Sequence, residues 1–422
     1  MFFRRGRLSA KKARALLIAL FDQRYQWPLR LPIVHLLARG DPLRFLCALR
    51  FAVDGIGEGV FLLNRRQPPQ QTRWFANDLE AAVAELAYHP VDLAERLASV
   101  MRLDDPATAE VKARQLLLEI IDLTPKDKRR GQQETEFPVV SWLPRIADLE
   151  TRPELAPATG AEQADLQRIA RRAVRIVWRL PGSRLAALTG SVDLGYADLI
   201  SDIDISLFGL KLPKADVRHS LIAATSDVPD DITQLTQERY AADTFWLKDR
   251  PPGGKSHLIN VRYFLIEDAQ RLIEHPVPES RADEELLAHL STAQILVDYE
   301  SRGPDLLQDV QKATRLARFE RMARASASVD QALSDLQVSS AAPDIFYATT
   351  QAILALLQLL AARNDRWIVF PKWTSAWFND LEVAPNGVHE RLSKVALLPF
   401  RQENVVAKLE TLRALRNDIQ VF

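Results

Sequence analysis

The sequence predicts an α+β protein in which a domain with a mixed β-sheet lies between two helical domains. Three observations lead to that class. Apolar residues recur at helical spacing through most of residues 8–125 and again from about Asp283 to the end, the pattern of amphipathic helices that pack on one another. Short runs rich in β-branched and aromatic residues cluster between Arg184 and Phe264, as strands do. The two helical flanks also echo one another, so the first helical domain is expected to repeat the last. The implied divisions are residues 1–150, 151–280 and 281–422.

From the N-terminus, residues 1–14 are basic and lack acids, and read as the solvated start of a helix. No signal-peptide cleavage site follows the short apolar run at 15–21. Asp41 or Pro42 opens an apolar helix toward Leu63, and a second helical module starts at Asn77. Polar, proline-containing stretches at 131–138 and 151–160 read as linker. Leu166, Ile169, Ala173, Ile176, Val177 and Leu180 predict an amphipathic helix over 162–180. Residues 184–189 read as a strand or a helix end, and Gly190 and Ser191 as a turn. A strand follows through Asp202 to Leu207, then a turn at 209–213 and a helix at 215–224. Strands are expected at 232–235, 244–247 and 258–264, and helices from there to the end.

The echo between the flanks is specific. Leu63-Asn-Arg-Arg66, Arg73-Trp74 and Asn77-Asp-Leu-Glu80 return as Asn364-Asp-Arg366, Lys372-Trp373 and Asn379-Asp-Leu-Glu382. Ala94-Glu-Arg-Leu-Ala-Ser-Val100 returns as His389-Glu-Arg-Leu-Ser-Lys-Val395. Common helix formers supply one such match easily, but four in the same order imply an internal duplication.

Composition narrows the function classes. The 422 residues allow two or three domains with cores of their own. Apolar residues make up 47% and charged ones 26%, as in ordinary globular chains, and no apolar run reaches the ~20 residues of a membrane span. The formal net charge is zero, so no global field favours nucleic acid or an acidic membrane. Cys47 is the only cysteine, which excludes an intramolecular disulfide and a cysteine-rich zinc site and leads us to expect a reducing cytoplasm. The seven histidines show no metal-ligand spacing.

The chemistry concentrates in residues 189–206. Side chains alternate along a strand, so Asp202, Asp204 and Ser206 share one face while Ile203, Ile205 and Leu207 point into a core. Two carboxylates roughly 6–7 Å apart repel one another unless a divalent cation sits between them. Magnesium suits such a pair, because it takes one or two carboxylates plus water and substrate phosphates. Just upstream, Gly190 permits close backbone approach and Ser191 can offer its hydroxyl and N–H to a phosphate.

At Gly190, Ser191, Asp202 and Asp204 the chain resembles the DNA polymerase β-like nucleotidyltransferase superfamily, whose pattern is Gly-Ser, a short spacer, then Asp-x-Asp. The resemblance covers only the middle of the chain. It implies a nucleotidyltransferase domain at 151–280, with Asp202 and Asp204 catalytic and binding Mg²⁺ or Mn²⁺, and with Gly190 and Ser191 holding a nucleoside triphosphate. Lys255 in Pro251-Pro-Gly-Gly-Lys-Ser256 and Asn260 are further binding candidates. The Gly-Gly-Lys-Ser run is not a P-loop, since the upstream glycine is absent. Such families usually add a third carboxylate on a later strand, and many carry a helical domain after the catalytic one. Here residues 257–264 offer Asn260 or Arg262 instead, and an amide has no basic site with which to take a proton. Asp231 could complete the site if its strand is the equivalent one, and Asp243 is the weaker option.

The expected reaction moves a nucleoside monophosphate from a triphosphate, most simply ATP, to a hydroxyl of a small-molecule acceptor. A protein or tRNA acceptor, as in a toxin-like enzyme, is the alternative, and a non-catalytic nucleotide-binding scaffold is the rival from another class. No membrane partner is expected, and homo-oligomerisation is left open. Trp367, Lys372, Trp373 and Trp377 line either an acceptor pocket or a helical core. Arg168, Arg171, Arg172 and Arg175 read as a solvated helix face.

Overall fold

A computed structural model describes residues 8–19, 41–67, 83–123, 158–195, 197, 201–226, 232–236, 240–248, 256–276, 278, 281–367 and 374–421. The chain divides into two compact units, one of Met1–Glu154, Ala325–Leu356 and Ala384–Phe422 and one of Leu155–Arg324 and Leu357–Val383.

The described part of the first unit is helical. Two of its helices start by one device: the Asp41 carboxylate accepts from the Arg44 N–H at 3.0 Å and that of Asp105 from Thr108 at 2.9 Å. A proline follows each aspartate, where the first turn has no hydrogen bond to lose. Phe45, Leu49, Ile56, Leu116, Ile120, Phe346, Phe400 and Leu412 are fully buried, and the Phe346 ring meets Phe400 edge-on at 5.2 Å. Arg50, halfway along the Pro42–Leu63 helix, donates to Thr350 Oγ1 at 2.8 Å and lies 3.8 Å over the Tyr347 ring. The Tyr347 hydroxyl in turn donates to Asp54 at 3.0 Å.

Local geometry runs in parallel along the two flanks. The helices Pro42–Leu63, Leu93–Arg102 and Pro106–Asp122 have 22, 10 and 17 residues, and so do Ala342–Arg363, Val388–Leu397 and Val405–Val421. One turn closes both long helices. Asn64 donates to the carbonyls of Val60 (2.8 Å) and Tyr88 (2.7 Å) and accepts from the Tyr88 N–H (3.0 Å). Asn364 donates to the carbonyls of Leu360 and Val383, both at 2.8 Å, and accepts from the Val383 N–H at 2.8 Å. Arg65 and Asp365, the residues that follow, both adopt left-handed backbone, with φ of 55° and 53°.

The second unit is built on a six-stranded sheet of strands β1 (Ser183–Thr189), β2 (Ile203–Gly209), β3 (Thr233–Thr236), β4 (Tyr240–Lys248), β5 (Ser256–Leu265) and β6 (Gln294–Asp298). Their order across the sheet is β3-β4-β5-β2-β1-β6; the β2–β5 pair is parallel and the others are antiparallel. On one face, Ile203, Ile205 and Leu207 pack with Val261 and with Leu166, Ile169, Val174 and Val177 of the Gly160–Val177 helix. That helix opens with a capping box between Thr159 and Glu162. On the other face, Leu185, Phe208 and Phe264 pack with Leu272, Leu286, Leu290 and Val310. Phe208 and Phe264 stack at 5.5 Å, and burying each such ring contributes about 1.5–3 kcal/mol. The alternation that buries Phe208 and Phe264 puts Asp204 and Asn260 on this same face, four residues earlier in each strand.

Three expectations change. The run of helices after Asp283 is interrupted by β6, which pairs with β1 at the sheet edge. Its five residues form a short apolar run whose period does not separate strand from helix. β4 begins at Tyr240 rather than Thr244, because Ala241 and Ala242 are held by cross-strand pairing with β5 despite poor strand propensity. Finally, the Ala342–Arg363 helix is long and apolar enough to span a membrane, yet 83% of its apolar window is buried within the protein, as in a core helix.

Candidate functional site

The site forms where β1 ends and β2 begins, beside the middle of β5. Thr189 pairs with Asp204 across β1 and β2, so the chain turns at Gly190 beside that carboxylate. The turn is tight: Gly190 has φ +74°, and a Cβ there would lie 3.1 Å from Asp204 Cγ. Only a glycine backbone leaves Asp204 that room. Ser191 follows, with a buried hydroxyl that has no hydrogen-bond partner among the described residues, and the Ser206 hydroxyl on β2 is the same.

Asp202 and Asp204 are 5% exposed and meet at one side chain. Asn260 lies opposite Asp204 in the parallel register and donates through Nδ2 to Asp202 Oδ2 and, at 3.5 Å, to Asp204 Oδ1. Its carbonyl oxygen accepts from the Thr244 hydroxyl at 2.9 Å. Arg262, two residues along β5, reaches back so that a guanidinium N–H donates to Asp204 Oδ1 at 2.8 Å. The structure therefore brings together Gly190, Ser191, Asp202, Asp204 and Asn260. The ion pair to Arg262 and the support from Thr244 were not read from the sequence. The second was within reach, since antiparallel pairing of β4 with β5 sets Thr244 against Asn260.

Asp243 is not part of the site. It neighbours Thr244 in β4 and so faces the opposite side of the sheet, where Arg218 Nε donates to its two oxygens at 3.1 and 3.0 Å. Gln234 donates to it at 3.0 Å, and Arg218 itself is fully buried and also donates to the Pro213 carbonyl and the Thr236 hydroxyl. Burial pushes the Asp243 carboxyl up despite the guanidinium that pulls it down. This is a structural ion pair. Asp193, at the end of the Gly190–Asp193 turn, is pushed up to about 7 by burial, against the pull of the Gln294 backbone N–H.

Lys255, Asp231, Lys372 and Trp373 lie outside the described residues. Trp367 is not an open stacking platform: Arg321 lies 3.7 Å over its ring and its indole N–H donates to Thr314 at 2.9 Å. Trp377 is buried against Phe378. Arg168, Arg171 and Arg175 are exposed on their helix.

The donors present fit one divalent cation. Two carboxylates converge beside a backbone cradle that a Cβ would fill, next to an orphaned serine hydroxyl, and Mg²⁺ needs little more than that plus water and phosphate. Among the described residues no third His, Cys, Asp or Glu joins the pair, so water and phosphate would complete the shell.

No family model matches the chain, and no curated protein matches it. Among solved structures it is similar to a nucleotidyltransferase-like protein from Exiguobacterium sibiricum, at 11% identity over 61% of this chain and 74% of that one, with a TM-score of 0.27. A likeness that low adds no weight, so function has to be argued from the residues of the site.

Proposed function

We propose that the second unit binds a nucleoside triphosphate, most simply ATP, with one Mg²⁺, and transfers its nucleoside monophosphate to a hydroxyl of a small-molecule acceptor with release of pyrophosphate. The observation that supports this is the convergence of Asp202 and Asp204 on the Gly190 turn, with the Ser191 hydroxyl buried and unpartnered. Asp202 and Asp204 would hold the ion, and Mn²⁺ could replace Mg²⁺. When bound, the ion supplies charge that stabilises the attacking and leaving oxygens. Gly190 and Ser191 would receive phosphate oxygens through a backbone N–H and the serine hydroxyl, and positioning then carries most of the catalysis. Asp231 is the acid left to take the proton of the acceptor hydroxyl. A protein or tRNA acceptor is the alternative, and a cytoplasmic setting belongs to the same reading.

A second reading, a non-catalytic nucleotide-binding scaffold, is favoured by Asn260 and Arg262 standing where a third acid would. One assay separates the two. Purified protein is incubated with Mg²⁺ and each of the four labelled nucleoside triphosphates, beside Asp204→Ala. Pyrophosphate release by the wild type alone supports transfer, nucleotide binding without release supports the scaffold, and no binding removes both. Label on the protein itself would turn the acceptor from small molecule to protein.

The helical flanks belong to the same proposal as two copies of one module. Equal helix lengths and the identical asparagine-closed turns at Asn64 and Asn364 support it.

A further inference from the structure

Among the described residues the Arg262 guanidinium donates to Asp204 at 2.8 Å. The amide of Asn260 adds donors and no charge. A nucleotide polyphosphate brings several negative charges to this spot, and one divalent ion on the two carboxylates neutralises only those carboxylates. Sites that move phosphoryl or nucleotidyl groups commonly use a second ion for the rest, and among the described residues no third His, Cys, Asp or Glu joins Asp202 and Asp204. Arg262 is a cation already there. Its side chain is 23% exposed and comes from the strand beside β2, and it bends back toward the Gly190 end of the sheet rather than lying over Ser206, its register partner.

We propose that Arg262 does the work of the second metal ion. It balances Asp204 when the site is empty of nucleotide, and donates to the phosphates of the bound triphosphate once a divalent ion occupies Asp202 and Asp204. The guanidinium suits both roles, because its planar fork matches carboxylate and phosphate equally and stays charged at any working pH. Asn260 fits the same exchange. Its Thr244 partner is a hydroxyl that can donate or accept, so the amide can turn its carbonyl to the ion without losing that bond. The site is thus a one-metal site with a built-in cation, an inference that rests on the nucleotide reading above.

The test uses the full chain and two probes, ATP with Mg²⁺ followed by calorimetry and Mn²⁺ alone followed by electron paramagnetic resonance. For the wild type, one Mn²⁺ should bind per chain and ATP affinity should rise with the first power of free Mg²⁺. Arg262→Gln should weaken ATP about tenfold or more, the size of one charge-assisted hydrogen bond. It should also tighten Mn²⁺ severalfold, because a competing cation is gone. Arg262→Lys should recover part of the ATP affinity. The opposite signs are diagnostic, since damage to the fold would weaken both ligands. Two bound ions in the wild type, unchanged ATP affinity in Arg262→Gln, or a joint loss of ATP and Mn²⁺ affinity would each overturn the assignment while leaving the nucleotide reading intact. A wild type that binds none of the four triphosphates overturns that reading too.

Discussion

At Gly190 the backbone has φ +74°, and an added Cβ would sit 3.1 Å from Asp204 Cγ and 3.2 Å from its Cβ. Gly190→Ala therefore meets both a backbone and a steric penalty, together about 1–3 kcal/mol. Denaturant unfolding should show that loss, and nucleotide binding should fall with it; a stable variant with normal binding would mean the turn does not carry the site. Gly190, Asp202 and Asp204 were legible because turn and strand alternation are local properties of sequence. The Asp204–Arg262 ion pair was not, since a long side chain reaches diagonally between neighbouring strands and no spacing encodes its choice of partner. Asp243, the weaker of the two acids left open by the sequence, drops out for a related reason. Its fate depends on Arg218, 25 residues earlier and on another element, which turns a candidate catalytic acid into half of a buried pair.

Elements show the same division. The Gly160–Val177 helix was readable from its apolar stripe, and β5 from its β-branched run, because each carries its own periodicity. β6 is a five-residue apolar run whose period fits strand and helix alike, and the first residues of β4 are held by pairing against their propensity, so neither was read. Repetition is the strongest element-scale signal. Asn64 and Asn364 each donate to a carbonyl of the helix they close and exchange two bonds with a residue further along the chain. Losing several such bonds costs on the order of 1–3 kcal/mol. Asn64→Ala and Asn364→Ala should lose similar amounts of stability by chemical denaturation, as two copies of one module would. If one asparagine can be replaced freely and the other cannot, the shared turn is coincidence.

Across the whole molecule, every residue assigned to the site lies within Leu155–Arg324 and Leu357–Val383, whereas the helical core around Phe45, Phe346 and Phe400 belongs to the other unit. The protein also has no net charge with which to hold a polyanion at long range, so on the proposed function nucleotide affinity comes from local contacts where β1 ends and β2 begins, beside β5. Binding should then be read out locally. A ligand specific for the native state at about a hundred times its dissociation constant adds about 2.7 kcal/mol against openings that release it. With ATP and Mg²⁺ at that level, amide exchange should slow in β1, β2 and β5 around Thr189, Asp204 and Asn260. Amides of Pro42–Leu63 and Val405–Val421 that exchange through local openings should keep their rates. Protection centred on those helices instead would move the nucleotide to the other unit and leave the Asp202–Asp204 pair without a ligand.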